Sequence, residues 1–128
     1  MDFVNDVDAA LVCFYSQGCP ACDRDAVDLA GKLRLHSGTF PVTFVIVLEG
    51  SSEPMGAVAN LVSIAQAKVL ADEDYVYREQ YELPSVPYYF FTKFGVIEWC
   101  QDGRLIDGET GENLLWLRLS GEALASSR

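Results

Sequence analysis

The residue types that could do chemistry stand close together, at Cys19 and Cys22. Pro20 and Ala21 lie between them, and an apolar run that ends at Gly18 precedes them. Cysteines at this spacing can form a redox pair, half of a metal site, or two ordinary buried residues. A redox pair needs a thiolate, which a helix N-terminus stabilises through free N–H groups and its positive dipole end. We expect Gly18, Pro20 and Ala21 to support such a helix N-terminus.

The flanking segments predict a buried strand before the pair and a helix after it. Ala9–Ser16 is short and almost continuously apolar, which is typical of a strand covered on both faces. Asp23–Leu35 repeats apolar residues at helical spacing, and Pro20 suits a first helical turn. Cys19 would then begin the helix, and Cys22, one turn deeper, could attack a mixed disulfide formed on Cys19. This arrangement favours a dithiol/disulfide site.

The rest of the chain alternates between predicted strands and helices. The predicted elements are a strand over Pro41–Leu48, a helix over Pro54–Ala67, a strand over Lys68–Ala71, a short helix that Asp72 caps and that ends at Tyr81, a hairpin of Tyr88–Thr92 and Val96–Cys100, and a helix over Gly111–Ser120. We predict an α/β sandwich with a mixed sheet, in which the first two strands are the parallel centre. The tail from about residue 121 is predicted to be frayed.

Length and composition predict a single domain over residues 1–128. Half of the residues are hydrophobic, and four cysteines are too few for a disulfide scaffold in a chain of this length. The formal net charge of -10 disfavours nucleic acid and anionic lipid as partners, although acidity that only serves solubility is the simpler explanation. We expect a monomer.

The N-terminal residues 1–6 contain neither the basic nor the apolar region of a signal peptide. A complete chain of this kind is predicted to be cytoplasmic, whereas a domain cut from an anchored protein would be periplasmic or otherwise extracytoplasmic. No apolar run approaches the ~20 residues of a membrane helix, so we expect no membrane contact by this domain.

A second motif, Val86–Pro87, directly precedes the predicted strand Tyr88–Thr92. Proline at the entry of a buried strand is unusual unless its peptide bond is special, as a cis bond would be. With Leu11–Tyr15 before the Cys-Pro-Ala-Cys segment, this motif resembles the thioredoxin superfamily over about residues 10–120. The resemblance implies a thioredoxin-like three-layer sandwich with a C-terminal hairpin and a cis-proline loop beside the cysteines.

The resemblance also implies an activity, that of a thiol:disulfide oxidoreductase acting on proteins. Cys19 would be the nucleophile and Cys22 the resolving cysteine, while Val86 and Pro87 would bind the substrate backbone. The implied partners are a protein substrate and a redox donor or acceptor. No cofactor and no metal are expected. The direction of electron transfer depends on thiolate stability and is left open.

Four features set the chain apart from a minimal thioredoxin. The helix and strand predicted within Pro54–Ala71 form an insertion that resembles the TlpA-like and methylamine-utilisation (MauD-like) thiol:disulfide oxidoreductases, which are typically exported or membrane-anchored. Gly18 stands where thioredoxins place tryptophan, and Cys13 stands where they place a buried acid, six residues before the first cysteine. Without that acid, Cys22 would lose its proton to water or to another carboxylate. The superfamily's first strand and helix are also abbreviated.

Alternatives to redox catalysis remain open. A static disulfide or vestigial pair would make the chain a non-catalytic thioredoxin-fold binding or adaptor domain. A zinc site would need a second Cys/His pair, and the remaining cysteines and histidine do not have that spacing. We expect Cys13 to be an inert core residue and Cys100 to be either structural or a third redox thiol. We interpret His36 as a last-turn residue, and Asp23 and Asp25 as first-turn stabilisers of the helix.

Overall fold

The computed structural model describes residues 7–35, 42–50 and 53–105, and these form a mixed five-stranded sheet with helices on both faces. The elements are β1 (Ala9–Ser16), α1 (Pro20–Leu35), β2 (Thr43–Glu49), α2 (Gly56–Ala65), β3 (Lys68–Asp72), α3 (Val76–Gln80), β4 (Tyr88–Lys93) and β5 (Val96–Asp102). Several predictions fall outside the described residues. They are the start of the second strand at Pro41, the place of His36 in a last helical turn, the helix Gly111–Ser120 and the frayed tail. Within the described ranges, no helix is both long enough and apolar enough to cross a membrane.

β1 is the central strand of the sheet, whose order is β3-β2-β1-β4-β5. It pairs in parallel with β2 and antiparallel with β4, which confirms the predicted parallel centre. Its residues are buried from Ala9 to Tyr15, as expected for a strand covered on both faces. Tyr88 at the start of β4 pairs with Phe14 near the end of β1. The loop before β4 therefore lies at the same sheet edge as the loop after β1.

The two faces of the sheet carry separate hydrophobic clusters, which gives three layers. On one face Leu11, Cys13 and Tyr15 pack with buried residues of α1 and α2. On the other face Val12 and Phe14 pack with side chains from α3 and the segment that follows it. The alternation follows from the two-residue period of a strand. The predicted three-layer α/β sandwich, with an extra helix and strand between β2 and the proline loop, is confirmed.

α1 begins at Pro20, three residues before the periodic run from Asp23, and Pro20 stands in the first helical turn as predicted. The carbonyl oxygen of Cys19 already accepts a hydrogen bond from the N–H of Asp23, at 3.0 Å, so Cys19 occupies the capping position. Proline is well suited to the first helical position because its missing N–H would have no intrahelical partner there. The cysteine pair is therefore built into the first turn of the helix.

Asp72 ends β3 and does not begin the next helix. Its two carboxylate oxygens nevertheless accept hydrogen bonds from the backbone N–H groups of Tyr77 and Arg78, at 3.1 and 3.2 Å. These N–H groups belong to the first turn of α3, where such donors have no partner within the helix. Asp72 thus satisfies the N-terminus of α3, as predicted, but from the end of a strand.

Candidate redox site

Cys19 and Cys22 form a disulfide at the N-terminus of α1, with their Cα atoms 5.2 Å apart. Cys19 is partly exposed, whereas Cys22 is fully buried. The backbone N–H of Cys22 donates a hydrogen bond to Cys19 Sγ, with an N···S distance of 3.1 Å. Free N–H groups and the positive dipole end at a helix N-terminus are the features that stabilise a thiolate. Of the two bonded cysteines, Cys19 is thus the one that solvent can reach.

The chain turns from β1 into α1 at Gly18, whose φ is +76°. This is the left-handed region, which glycine adopts at little cost and other residues do not. A Cβ placed at Gly18 would meet no atom within 4 Å. The backbone angle, and not crowding, is thus the physical reason for glycine where thioredoxins carry tryptophan.

A cavity of about 250 Å³ opens beside this turn. It is lined by Gln17, Gly18 and the exposed Asp23 on one side and by residues 55–58, at the start of α2, on the other. The side-chain amide of Gln17 donates a hydrogen bond to the backbone carbonyl of Glu53, which fixes the two sides relative to each other. Met55 is 67% exposed, so it offers an apolar surface close to the disulfide.

The loop that contains Val86 and Pro87 lies against the disulfide from the other direction. The Val86–Pro87 peptide bond is cis. Cys19 Sγ lies 3.9 Å from the carbonyl oxygen of Val86, a residue 67 positions away in the sequence. Pro87 is buried and its carbonyl accepts a hydrogen bond from the N–H of Gly103, at 3.0 Å, which anchors the loop beside the end of β5. The structure therefore brings the two sequence motifs together.

Several solved structures share this architecture. A secreted disulfide oxidoreductase of Mycobacterium tuberculosis, homologous to DsbE of E. coli, is 22% identical with a TM-score of 0.59, over 92% of this chain and 81% of that one. A thiol-disulfide isomerase from Corynebacterium glutamicum is 18% identical with a TM-score of 0.64, over 96% and 85% of the two chains. A thioredoxin-like protein from Porphyromonas gingivalis is 16% identical with a TM-score of 0.59, over 91% and 76%.

The chain has the thioredoxin-like fold. No protein-family model matches it, and no curated protein matches it by sequence. At these identities the likeness establishes the fold, and the predicted thioredoxin-like architecture is confirmed. The sequence predicts that Cys19 and Cys22 form a pair, and the structure joins them in a disulfide.

In this thioredoxin-like fold, the ion pair of Arg78 and Glu49 supports the segment that leads into the Val86–Pro87 loop. The Arg78 guanidinium donates to both carboxylate oxygens of Glu49 at 3.1 Å, and its Nη2 lies 3.5 Å from the carbonyl oxygen of Pro84. Burial raises the pKa of the Glu49 carboxyl above its ordinary value, against the opposing effect of Arg78. The pair joins the end of β2 to α3 and to the loop. Its members lie in different elements, so no local sequence pattern predicts it.

Asp25 is a buried carboxylate on the inner face of α1, one turn after Cys22. It is fully buried and lies beyond the first turn, where Asp23 is the acidic residue. The interpretation of Asp25 as a first-turn stabiliser of the helix is therefore wrong, whereas Asp23 does lie in that turn and is exposed. Helical spacing carried a signal for this, because a residue three positions after a buried one lies on the same face of a helix.

The Asp25 carboxylate receives hydrogen bonds from two other parts of the chain, β4 and the segment after β5. Its Oδ2 accepts hydrogen bonds from the Tyr89 hydroxyl and from the backbone N–H of Leu105. Its Oδ1 lies 3.0 Å from Nε of Arg104, and the same guanidinium reaches the exposed Asp28 at 2.7 Å. A buried charge needs such compensation by a cation and hydrogen bonds. The carboxylate is thus a fixed and compensated part of the core below the disulfide.

Tyr15 extends this network toward β1. The Tyr15 and Tyr89 hydroxyl oxygens are 2.9 Å apart. Since the single hydroxyl proton of Tyr89 is directed at Asp25, Tyr15 donates to Tyr89. Burial, with a further contribution from the Asp25 charge, raises the pKa values of Tyr15, Tyr89 and the neighbouring Cys13 thiol. All three groups are therefore protonated at neutral pH, and Cys13 is the buried free thiol that the sequence predicts.

Cys100 is not brought to the disulfide. It lies on β5 opposite Phe90, and directly opposed residues point to the same face of a sheet. Phe90 belongs to the cluster on the α3 face, whereas the disulfide lies on the α1 face. Cys100 is exposed, and a hydrogen bond with it raises the pKa of Tyr88 to about 12. In the described part of the chain, no cluster of His, Cys, Asp and Glu is suited to a metal ion.

Proposed function

We propose that this protein is a thiol:disulfide oxidoreductase, which exchanges the Cys19–Cys22 dithiol/disulfide with protein substrates. The observation that carries the proposal is the unequal burial of the two bonded sulfur-bearing residues, one partly exposed and one fully buried. An exposed sulfur can meet a substrate, whereas a buried sulfur can meet only its neighbour. This asymmetry supports Cys19 as the nucleophile and Cys22 as the resolving cysteine.

In the reducing direction, the Cys19 thiolate attacks one sulfur of a substrate disulfide. A bond forms between Cys19 and that sulfur, and the other substrate sulfur leaves as a thiolate. Cys22 then loses its proton and attacks Cys19 Sγ, so the protein disulfide forms and the second substrate thiolate leaves. Two electrons pass to the substrate, and its thiolates take up protons from solvent. Substrate oxidation is the reverse, and a redox donor or acceptor resets the pair without a cofactor.

The substrate chain is proposed to lie between the proline loop and the start of α2. Val86 would hold it by strand-like backbone pairing, because the loop continues directly into β4 and faces Cys19. Pro87 has no N–H and its carbonyl oxygen accepts the Gly103 N–H, so its part would be to position Val86 for the substrate. On the opposite side, the cavity beside Gly18 would take the side chain of a residue next to the substrate cysteine. The exposed Met55 offers an apolar contact there, and Asp23 places a carboxylate in the lining of the same cavity.

Among thiol:disulfide oxidoreductases, we propose that the protein is most similar to the TlpA-like and MauD-like class. It is supported by α2 and β3, which lie between β2 and the proline loop. The alternative function, a binding domain with a static disulfide, requires an unreactive pair. The partial exposure of Cys19 at a helix N-terminus favours exchange over that alternative.

The variant Cys22→Ser should trap a substrate on Cys19, because the mixed disulfide forms but nothing resolves it. We suggest mixing the reduced variant with a symmetrical peptide disulfide, in a Cys100→Ser background so that the exposed Cys100 does not react. Mass spectrometry should show one peptide per chain, released by dithiothreitol.

The matched control is Cys19→Ser, which retains only the buried cysteine of the pair. It should form no adduct on the time scale of the Cys22→Ser variant. Equal adduct formation by both variants would reverse the assignment of the nucleophile. No adduct with either variant would refute the proposed function.

A further inference from the structure

We propose that the cavity beside Gly18 selects substrates in which a lysine or arginine adjoins the reactive cysteine, and that the Asp23 carboxylate binds this cation. The inference rests on the proposed function and names the class of substrate, a disulfide in a basic segment of a protein. Asp23 would be a specificity-determining residue, which contacts the substrate but not the reacting sulfur atoms.

The cavity lies within reach of the residue next to the substrate cysteine. Gly18, which lines it, directly precedes Cys19, and the N–H of Asp23 donates to the carbonyl oxygen of Cys19 at 3.0 Å. Consecutive Cα atoms of a peptide are about 3.8 Å apart. A substrate whose sulfur is bonded to Cys19 can therefore direct a neighbouring side chain into this cavity.

The lining suits a side chain with an apolar stem and a positive end. Met55, Ala57 and Val58 contribute apolar surface, and among the described residues that line the cavity only Asp23 has a charged side chain. Lysine and arginine lay their methylene groups along apolar surface and keep the charged end in water. The cavity of about 250 Å³ offers the apolar wall, and the exposed Asp23 offers the counter-charge.

The Asp23 carboxylate is available to a ligand. Asp25 and Asp28, the next acids of α1, both bind Arg104, whereas the Asp23 side chain forms no hydrogen bond or ion pair within the described ranges. Gln17 adds a second acceptor, because its amide nitrogen donates to a backbone carbonyl and its amide oxygen is left for a cation. The polar part of the lining therefore offers acceptors rather than donors.

The charges around the cavity also favour a cation. Arg24 and Arg104 lie on the other side of Asp23, in a depression of about 380 Å³, and neither lines the cavity. The formal net charge of the chain, -10, favours the encounter with a basic peptide. An acidic neighbour of the substrate cysteine would instead meet the negative charge of Asp23. The cavity would thus discriminate by attraction and by repulsion.

The test uses the trapping variant Cys22→Ser in the Cys100→Ser background. Three symmetrical peptide disulfides differ only in the two residues that flank the cysteine, which are lysine, norleucine or glutamate, and mass spectrometry gives the second-order rate constant of adduct formation for each. We expect the lysine peptide to react about tenfold faster than the glutamate peptide, with norleucine between them. Tenfold corresponds to about 1.4 kcal/mol, the combined size of an exposed ion pair gained and a like-charge contact avoided.

The decisive comparison is Asp23→Asn in the same background. The ratio of the lysine rate to the glutamate rate should fall to about threefold or less, because the local counter-charge is lost and only the net charge of the chain remains. A ratio taken within one variant cancels any effect of Asp23 on the Cys19 thiolate. Comparing the ratios of two variants cancels the intrinsic reactivity of the peptides. Asp23→Glu, which retains the charge, should retain the preference for lysine.

The matched control is Asp8→Asn, which also removes one exposed carboxylate and one unit of net charge. Asp8 directly precedes β1, at the end of that strand opposite to the disulfide. Its ratio of lysine rate to glutamate rate should equal that of the trapping variant without this substitution.

The outcomes separate this inference from the proposed function. If no peptide forms an adduct, the proposed function itself fails. If all three peptides react, and lysine is no faster than glutamate or norleucine is the fastest, the cavity does not select a cation and only this inference is overturned. It is also overturned if Asp23→Asn keeps the full preference for lysine, or if Asp8→Asn lowers that preference as much as Asp23→Asn does.

Discussion

The variant Cys19→Ser should reduce the turnover of a disulfide substrate to the uncatalysed background. Cys19 is the member of the pair with an exposed surface, and its sulfur receives the Cys22 N–H at the start of α1. A serine hydroxyl is not ionised at neutral pH and cannot form a disulfide, so the first step of exchange is lost. We would measure reduction of a peptide disulfide with glutathione as the final reductant.

The control for this prediction is Cys100→Ser, which removes an exposed thiol on the opposite face of the sheet. Its turnover should match wild type, because Cys100 does not meet the disulfide. Residual turnover in Cys19→Ser that disappears only when Cys100 is also replaced would show that Cys100 carries the reaction. That result would contradict the placement of the redox site at α1.

The variant Asp25→Ala should lower the free energy of unfolding by about 3–5 kcal/mol, the usual cost of removing one partner from a buried ion pair. The substitution leaves the Arg104 guanidinium, 19% exposed at its side chain, without its buried counter-charge. It also leaves the Tyr89 hydroxyl and the Leu105 N–H without the acceptor they use in the core. Urea denaturation of the oxidised protein at pH 7 measures this difference.

The matched substitution is Asp28→Ala, which removes the other carboxylate that contacts the same guanidinium. Asp28 is 45% exposed at its side chain, so solvent screens the pair and its loss should cost about 0–1 kcal/mol. If the two variants lowered the free energy of unfolding equally, burial of the Asp25 carboxylate would not determine how much it stabilises the fold.

The strand and cysteine pair could be predicted because their signals are local. The apolar run at Ala9–Ser16 coincides with β1, and the Cys19–Cys22 spacing coincides with the disulfide. The helix start was also a local signal, because Pro20 suits a first helical turn, although the periodic apolar residues begin only after Asp23. The structure shows that the hydrogen bond accepted by the carbonyl of Cys19 already begins the helix, at Pro20.

The support of the site could not be predicted, because its bonds join distant parts of the chain. Asp25 lies 64 positions from Tyr89 and 79 from Arg104 in the sequence. Its burial could have been inferred from the helical spacing after Cys22, but its partners could not. The ion pair of Glu49 and Arg78 could not be predicted either, because it depends on how β2 and α3 pack against each other.

Gly18 and Cys13 are two positions at which the site differs from the thioredoxin pattern, and the structure gives a physical reason for each. Glycine at position 18 follows from a positive φ at the turn into α1. A neutral thiol at position 13 sits in a core whose negative charge comes from Asp25 on the facing helix. At position 13 the buried negative charge is thus supplied by another residue, Asp25, and at position 18 the backbone angle requires glycine. Neither departure changes the placement of the proline loop beside the disulfide.

The reduction potential of the Cys19–Cys22 pair tests the central claim most directly. The protein, in the Cys100→Ser background, is equilibrated in glutathione buffers of graded ratio, and its free thiols are counted by mass spectrometry after alkylation. We expect a reversible two-electron couple between about -300 and -100 mV, the range of working thiol:disulfide oxidoreductases, and its position will distinguish a reductant from an oxidant. A pair that shows no reversible couple in that range would contradict the account and indicate a thioredoxin-fold binding domain with a static disulfide.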